Sequence, residues 1–164
     1  TVGVAAAELA WYFPNALQAV ATAKFSAEQD SLELARRLNR SVWPITLVFC
    51  IGILLVVAPL IPRVFGPQFR ASILPLVLLM PGILATSMST ALSAWLSGRG
   101  HPGDPALANG VNMLVNFVAN LVLAPRYGAA GAAVASSISY TAGSALILWR
   151  FAKRSGSSPL QIGT

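Results

Sequence analysis

Four asparagines, Asn109, Asn112, Asn116 and Asn120, follow one another at steps of 3, 4 and 4 residues. That spacing puts all four amides on one face of an α-helix. Thr86, Thr90, Ser93 and Ser97 repeat at steps of 4, 3 and 4, and Ser137, Tyr140, Thr141 and Ser144 line up similarly in a later segment. Amides and hydroxyls at such positions do one of two things: they bond one helix to another, or they line a wet cavity. Glu8 is the one acid inside an apolar segment. A carboxylate at membrane depth calls for a partner or a water-filled path, so Glu8 is a candidate for ion or proton coupling, substrate contact or an interfacial ion pair.

Catalytic chemistry has little to work with. His101 has no second His or Cys nearby, and Cys50 stands alone in an apolar run, where it reads as a small buried hydrophobe. Gly98-Arg99-Gly100 lacks the preceding strand and the remaining glycines of a phosphate loop. With no nucleophile–base pair and no metal-ligand cluster, the expectation is a protein that is not an enzyme and needs no cofactor or metal.

The elements that carry these stripes follow from composition. The 164 residues hold 11 Lys+Arg and 5 Asp+Glu, so only 10% are charged while 55% are hydrophobic. A soluble protein carries about 25% charged residues. Disordered chains are poorer in apolar residues than this one. Charges are absent from 41–62, 71–98, 105–125 and 127–149, and about 20 apolar residues suffice for a helix to cross a bilayer. A further run over 2–23 is interrupted only by Glu8. The expected fold is all-α, a polytopic bundle with spans over about 2–23, 42–62, 71–98, 105–125 and 127–149. Thr1 opens in or beside a hydrophobic helix, without initiator Met, basic leader or cleavage site. That pattern raises the expectation of a piece cut from a longer membrane protein.

Five crossings place Lys24, Arg36, Arg37, Arg40, Arg99, Arg150, Lys153 and Arg154 on one side, against Arg63, Arg70 and Arg126 on the other. The positive-inside rule then sets the C-terminus in the cytoplasm, in a cell (inner) membrane. The net charge of +6 matches anionic headgroups, making membrane lipids the expected partner. No basic stripe with interleaved aromatics supports nucleic-acid binding. Between the first two spans, 26–40 reads as a short cytoplasmic helix. Ser26 and Gln29 have capping-box spacing, acids precede Arg36, Arg37 and Arg40, and Glu33–Arg37 is a favourable i,i+4 pair. Residues 153–164 read as a flexible cytoplasmic tail. Phe65 and Phe69 flank a turn at interfacial depth, Asp104 is placed to cap the helix that Pro105 opens, and Pro81-Gly82 is the expected kink in a long span. Gly128, Gly131, Ala132, Ala135, Ser139 and Gly143 give small-x-x-x-small spacings that mark close helix packing.

Pro125-Arg126-Tyr127-Gly128-Ala129-Ala130-Gly131-Ala132-Ala133-Val134-Ala135 resembles the P-x-Y-G-x-x-G-A-A-x-A junction of polysaccharide-biosynthesis flippases, within the multidrug/oligosaccharidyl-lipid/polysaccharide exporter superfamily. Val64-Phe65-Gly66-Pro67-Gln68-Phe69 is similar to that family's hydrophobic-F-G-x-x-F/Y turn. Leu79-Met80-Pro81-Gly82 and the Asn112/Asn116/Asn120 stretch also fit, and the similarity spans roughly 1–152. The resemblance implies the C-terminal half of a pseudo-symmetric transporter that flips lipid-linked saccharides by alternating access. Its partners would be the lipid-linked saccharide and the missing N-terminal half. The candidate pathway residues, read from the polar stripes and the lone acid, are Glu8, Thr90, Ser93, Asn109, Asn112, Asn116, Asn120 and Tyr140. The sequence departs from the family where Ala23-Lys24 precede Phe25, since many relatives have Pro there. No Arg or Lys lies at mid-span, so a basic clamp for a pyrophosphate would come from absent helices or from helix ends such as Arg99 or Arg150. An exporter of drugs or peptidoglycan precursors, and a structural membrane subunit, remain alternatives.

Overall fold

The computed structural model describes residues 31–156. The expected span over 2–23, Glu8, Ser26, Gln29 and the end of the tail lie outside the described residues.

Helix α1 (Ser31–Gly52) runs through a π-helical stretch, Ile53–Val57, into α2 (Ala58–Phe65). The π stretch has a local cause. Pro59 has no N–H to continue the ladder, and the preceding Ala58 N–H reaches five residues back to the Ile53 carbonyl. The chain leaves α2 at Gly66, whose φ of 103° and ψ of 162° suit glycine. A short 3₁₀ turn (Pro67–Ser72) follows, its start held by the Phe69 N–H on the Gly66 carbonyl at 3.1 Å. Phe65 and Phe69 pack with ring centroids 6.0 Å apart and stay exposed, as a turn at interfacial depth requires.

Helix α3 (Ile73–Gly98) stays helical through Pro81 and Gly82, where a kink was expected. Proline perturbs the ladder over the turn before it. There the Leu78 carbonyl accepts a bond from Ser137 Oγ at 2.5 Å, so a neighbouring helix supports the weakened turn. The final helical run, Gly103–Ser155, reverses at Gly128 (φ 56°, ψ −135°), giving α4 (103–127) and α5 (129–155). That backbone conformation is open to glycine and strained for other residues.

Two sequence boundaries shift. The helix expected over 26–40 and the span over 42–62 form one helix from 31 onward, because no turn residue separates Arg40 from Val42 and Ser41 Oγ bonds back to the Arg37 carbonyl at 3.0 Å. Residues 153–155, expected in a flexible tail, form the last turn of α5 and contribute Arg154 to an ion pair.

Contacts fix the directions of the helices. Leu78 meets Ser137, Ser89 meets Ser144 and Trp95 meets Phe151, so α3 and α5 run parallel. Between them in sequence, α4 runs back: Asp104 pairs with Arg150 and Arg154, while Asn116 pairs with Ser136 and Ser139. The N-terminal part of α1 closes the core near the C-terminal end of α3, where Ala35, Leu92, Trp95, Leu96, Ala108, Ile147 and Phe151 cluster. Trp95 and Phe151 pack edge-on, ring centroids 5.1 Å apart.

Away from that core the bundle wears its apolar residues outside. Val48, Leu55, Met113, Leu114 and Phe117 are all exposed, Met113 by 76%. In water such surfaces would drive association. Three of the helical runs, Leu32–Phe65, Pro67–Gly98 and Gly103–Ser155, are long and apolar enough to cross a membrane. Each leg of the last is about 25 residues, about 38 Å at 1.5 Å per residue, and so long enough to cross by itself.

Candidate functional site

The asparagine face of α4 is turned in part onto the small-residue face of α5. Asn116 Nδ2 donates to Ser136 Oγ at 3.3 Å and to Ser139 Oγ at 3.2 Å. Asn120 Nδ2 donates to the Asn116 carbonyl and to Asn116 Oδ1, both at 3.0 Å. One amide thus orients the next, and Asn116 is engaged through both its Nδ2 and its Oδ1 inside the helical hairpin. Asn112 sits at the close approach of α4 and α5. A Cβ built on Gly143 would lie 3.2 Å from Asn112 Cβ and 3.4 Å from the Ala108 carbonyl, so the small residue is what lets Asn112 in. Asn109, one turn nearer the start of α4, is exposed.

The α3 residues behave differently. Thr90 Oγ1 bonds the Thr86 carbonyl of its own helix at 2.9 Å, and Ser97 does the same to Ser93 at 3.1 Å. Such back-bonding satisfies a hydroxyl without a second helix. Thr90 and Ser93 are half-buried. The polar contact between α3 and α5 is made instead by buried Ser89, whose Oγ meets Ser144 Oγ at 3.1 Å, and by Ser137 on Leu78. Half-buried Tyr140 packs beside Gly82, whose added Cβ would stand 3.0 Å from Tyr140 Cδ2 and 2.7 Å from Ser137 Cα. The structure therefore gathers Asn112, Asn116 and Asn120 at the α4–α5 contact and Tyr140 at the α3–α5 contact.

Ser89, Ser136 and Ser139 were outside the hydroxyl stripes, although they make the contacts. The reason is that α5 is shared: α3 takes one flank and α4 the other, so a single stripe on α5 cannot describe both. Ser139 and Gly143 did carry a usable signal, the small-x-x-x-small spacing, and both are buried.

A second polar feature lies at the basic end of the bundle. Asp104, buried in the first turn of α4, holds Arg150 Nη1 through Oδ1 and Arg154 Nε through Oδ2, both at 3.1 Å. It was expected to cap α4. Instead Pro102 occupies the N-cap, without a side-chain capping bond, and the carboxylate closes the open end of the α4–α5 hairpin. The Trp149 ring lies under Arg150 Cζ at 5.0 Å and Lys153 Nζ at 5.4 Å. Next to this network a cleft of about 550 Å³ opens between Leu32 of α1, Trp95 and Gly98 of α3, Arg99 and His101 of the α3–α4 turn, and Arg154 and Ser155 of α5.

Hydrophobic helices packed in alternating directions and an apolar exterior define a multi-pass, all-α membrane protein. The chain is similar to an uncharacterized membrane protein, YabM, of Bacillus subtilis, at 36% identity over 72 residues, 44% of this chain and 14% of that protein. It is also similar to the probable low-salt glycan biosynthesis flippase Agl15 of Haloferax volcanii, at 26% identity over 126 residues, 75% of this chain and 27% of that protein. These matches cover about a seventh and about a quarter of the two relatives. No family model and no solved structure matches the chain.

Proposed function

We propose that the chain forms part of a flippase that moves lipid-linked oligosaccharide or polysaccharide repeat units across the cytoplasmic membrane by alternating access. In this reading its basic end and C-terminus face the cytoplasm. The observation that carries the proposal is the division within the α4 stripe, on a chain similar to a protein named as a glycan biosynthesis flippase. Asn116 and Asn120 spend their amides on bonds within the hairpin and Asn112 packs on Gly143, whereas Asn109 is exposed. An amide left open on a lipid-ready helix is costly in hydrocarbon, so it belongs on a wet surface that faces other helices of a longer protein. Thr90, Ser93 and Tyr140 are proposed as further residues of the pathway, and so is Glu8, which lies outside the described residues. No bond is made or broken; the work is differential binding of one solute in two conformations.

One observation favours a second reading, a non-transporting structural subunit: the bonds of Asn116 and Asn120 lie wholly within the hairpin. Cysteine accessibility in the membrane-embedded protein separates the two. With Cys50→Ala as background, N109C should react with a membrane-impermeant thiol reagent, while M113C and F117C should not. Uniform protection of all three positions would leave the structural reading standing.

A further inference from the structure

The cleft at the basic end has no part in the asparagine stripe. Its polar side chains come from two separate elements, Arg99 and His101 from the α3–α4 turn and Arg154 and Ser155 from α5, while Leu32 and Trp95 supply an apolar wall. The turn is fixed to the end of α3 by three backbone bonds: Arg99 N–H to the Trp95 carbonyl at 2.9 Å, Gly100 N–H to Ser97 at 3.3 Å and His101 N–H to Leu96 at 2.9 Å. Gly100, at φ 81°, makes that tight reversal. Arg99 and His101 are thus held on a bonded frame, which lowers the cost of ordering them around a ligand.

Among the described residues the charge of the cleft is one-sided. No carboxylate lines it among the described residues, and the adjacent Asp104 has both oxygens engaged by Arg150 and Arg154. Arg154 meets Asp104 through Nε, which leaves the terminal nitrogens of its fork for a second acceptor. Arg99 is exposed and has no ion-pair partner among the described residues. Two guanidinium groups and an imidazole around about 550 Å³ suit a doubly charged, oxygen-rich anion. The apolar wall of Leu32 and Trp95 suits a group joined to a hydrocarbon chain, and the neighbouring Trp149 with its two cations has the composition of a headgroup-level anchor.

From this geometry we propose that the cleft binds a phosphate-bearing group at the membrane surface, held by Arg99, His101 and Arg154. Two sources carry that chemistry, an anionic phospholipid headgroup and a diphosphate. The site stands on the cleft alone and does not rest on the transport reading.

The test uses the protein in lipid nanodiscs. In neutral phosphatidylcholine discs, sodium pyrophosphate should bind saturably by calorimetry. R99Q and H101Q should each weaken binding about tenfold or more, and R99K should restore most of the loss from R99Q. R63Q, at the opposite end of the bundle, should leave it unchanged. In discs containing phosphatidylglycerol, native mass spectrometry should find that lipid retained by the wild type and lost from R99Q and H101Q. Binding in the pyrophosphate arm alone identifies a diphosphate ligand, and retention in the lipid arm alone identifies a headgroup; either supports the site. Arg99 and Arg154 also stand at the C-terminal ends of helices, where cations complement the dipole. If that is their whole role, R99Q lowers the unfolding midpoint while both arms match the wild type, and the site is refuted. Should R99Q fail to fold, H101Q and R99K decide between the same two outcomes.

Discussion

Gly82 is the position where the packing of α3 on α5 is most exposed to a single change. A Cβ there would come 2.7 Å from the Ser137 Cα, and 3.0 Å from both Ser137 Oγ and Tyr140 Cδ2. Ordinary carbon contacts sit at about 3.5–4.0 Å, so G82A forces the two helices about 1 Å apart. The obstacle is backbone, which has no rotamer to move aside. Overpacking of this kind costs about 1–3 kcal/mol. The Ser137–Leu78 bond, now 2.5 Å, would lengthen to the limit of a hydrogen bond, a loss of about 0.6 kcal/mol. Alanine returns up to about 1 kcal/mol of helix propensity. The net is a destabilisation of about 1–2 kcal/mol, which is about five- to thirtyfold in the unfolding equilibrium. Gly110 is the control, since nothing lies within 4 Å of a Cβ added there. In lipid–detergent bicelles titrated with dodecyl sulfate, helicity should be lost earlier for G82A, while G110A should match or slightly exceed the wild type. Equal midpoints for G82A and G110A would refute the parallel α3–α5 contact.

Three further outcomes follow from named contacts. D104N should lower stability by about 2–3 kcal/mol in the same titration and R154Q by less than about 1. A carboxylate with 7% exposure is buried, while Arg150 at 24% and Arg154 at 43% keep part of their hydration; equal effects of the two variants would contradict the assigned burial. A double-mutant cycle of S89A and S144A should show a coupling of about 0.6 kcal/mol, and strict additivity would mean that the buried hydroxyl pair contributes nothing to the α3–α5 contact. With the other tryptophans replaced by Phe, the emission of Trp149 should be quenched more by a headgroup-level spin label than by one at the acyl midpoint, and the reverse order would displace it from the interface.

The parts of this fold legible in the sequence were those set by solvent. Charge gaps mark where hydrocarbon tolerates the chain: α3 covers 73–98 of the stretch 71–98, α4 contains 105–125, and the stretch 127–149 lies in α5 only from 129 onward, after the reversal at Gly128. Gly128 was legible as part of a short motif, and the structure uses its left-handed conformation to reverse the chain. Long-range pairing was not legible. Asp104 looks like a cap when only its neighbours are considered, because its partners are 46 and 50 residues away. Asn116 and Asn120 belong to one stripe on a helical wheel, but whether a stripe faces a partner or a cavity depends on which helix lies against it. Ser89 carries no local signal, because its partner Ser144 is 55 residues away. The cleft around Arg99, His101 and Arg154 has the same origin, since the α3–α4 turn and the end of α5 meet only in the folded bundle.

The most direct measurement is translocation of a fluorescent lipid-linked oligosaccharide by the longest native form of the protein, reconstituted in liposomes. The wild type should expose the saccharide to the opposite leaflet. N109L should slow this severalfold with an unchanged dodecyl sulfate midpoint, whereas N116L should lower the midpoint itself. Full translocation by N109L, or none by folded wild type, would overturn the flippase reading.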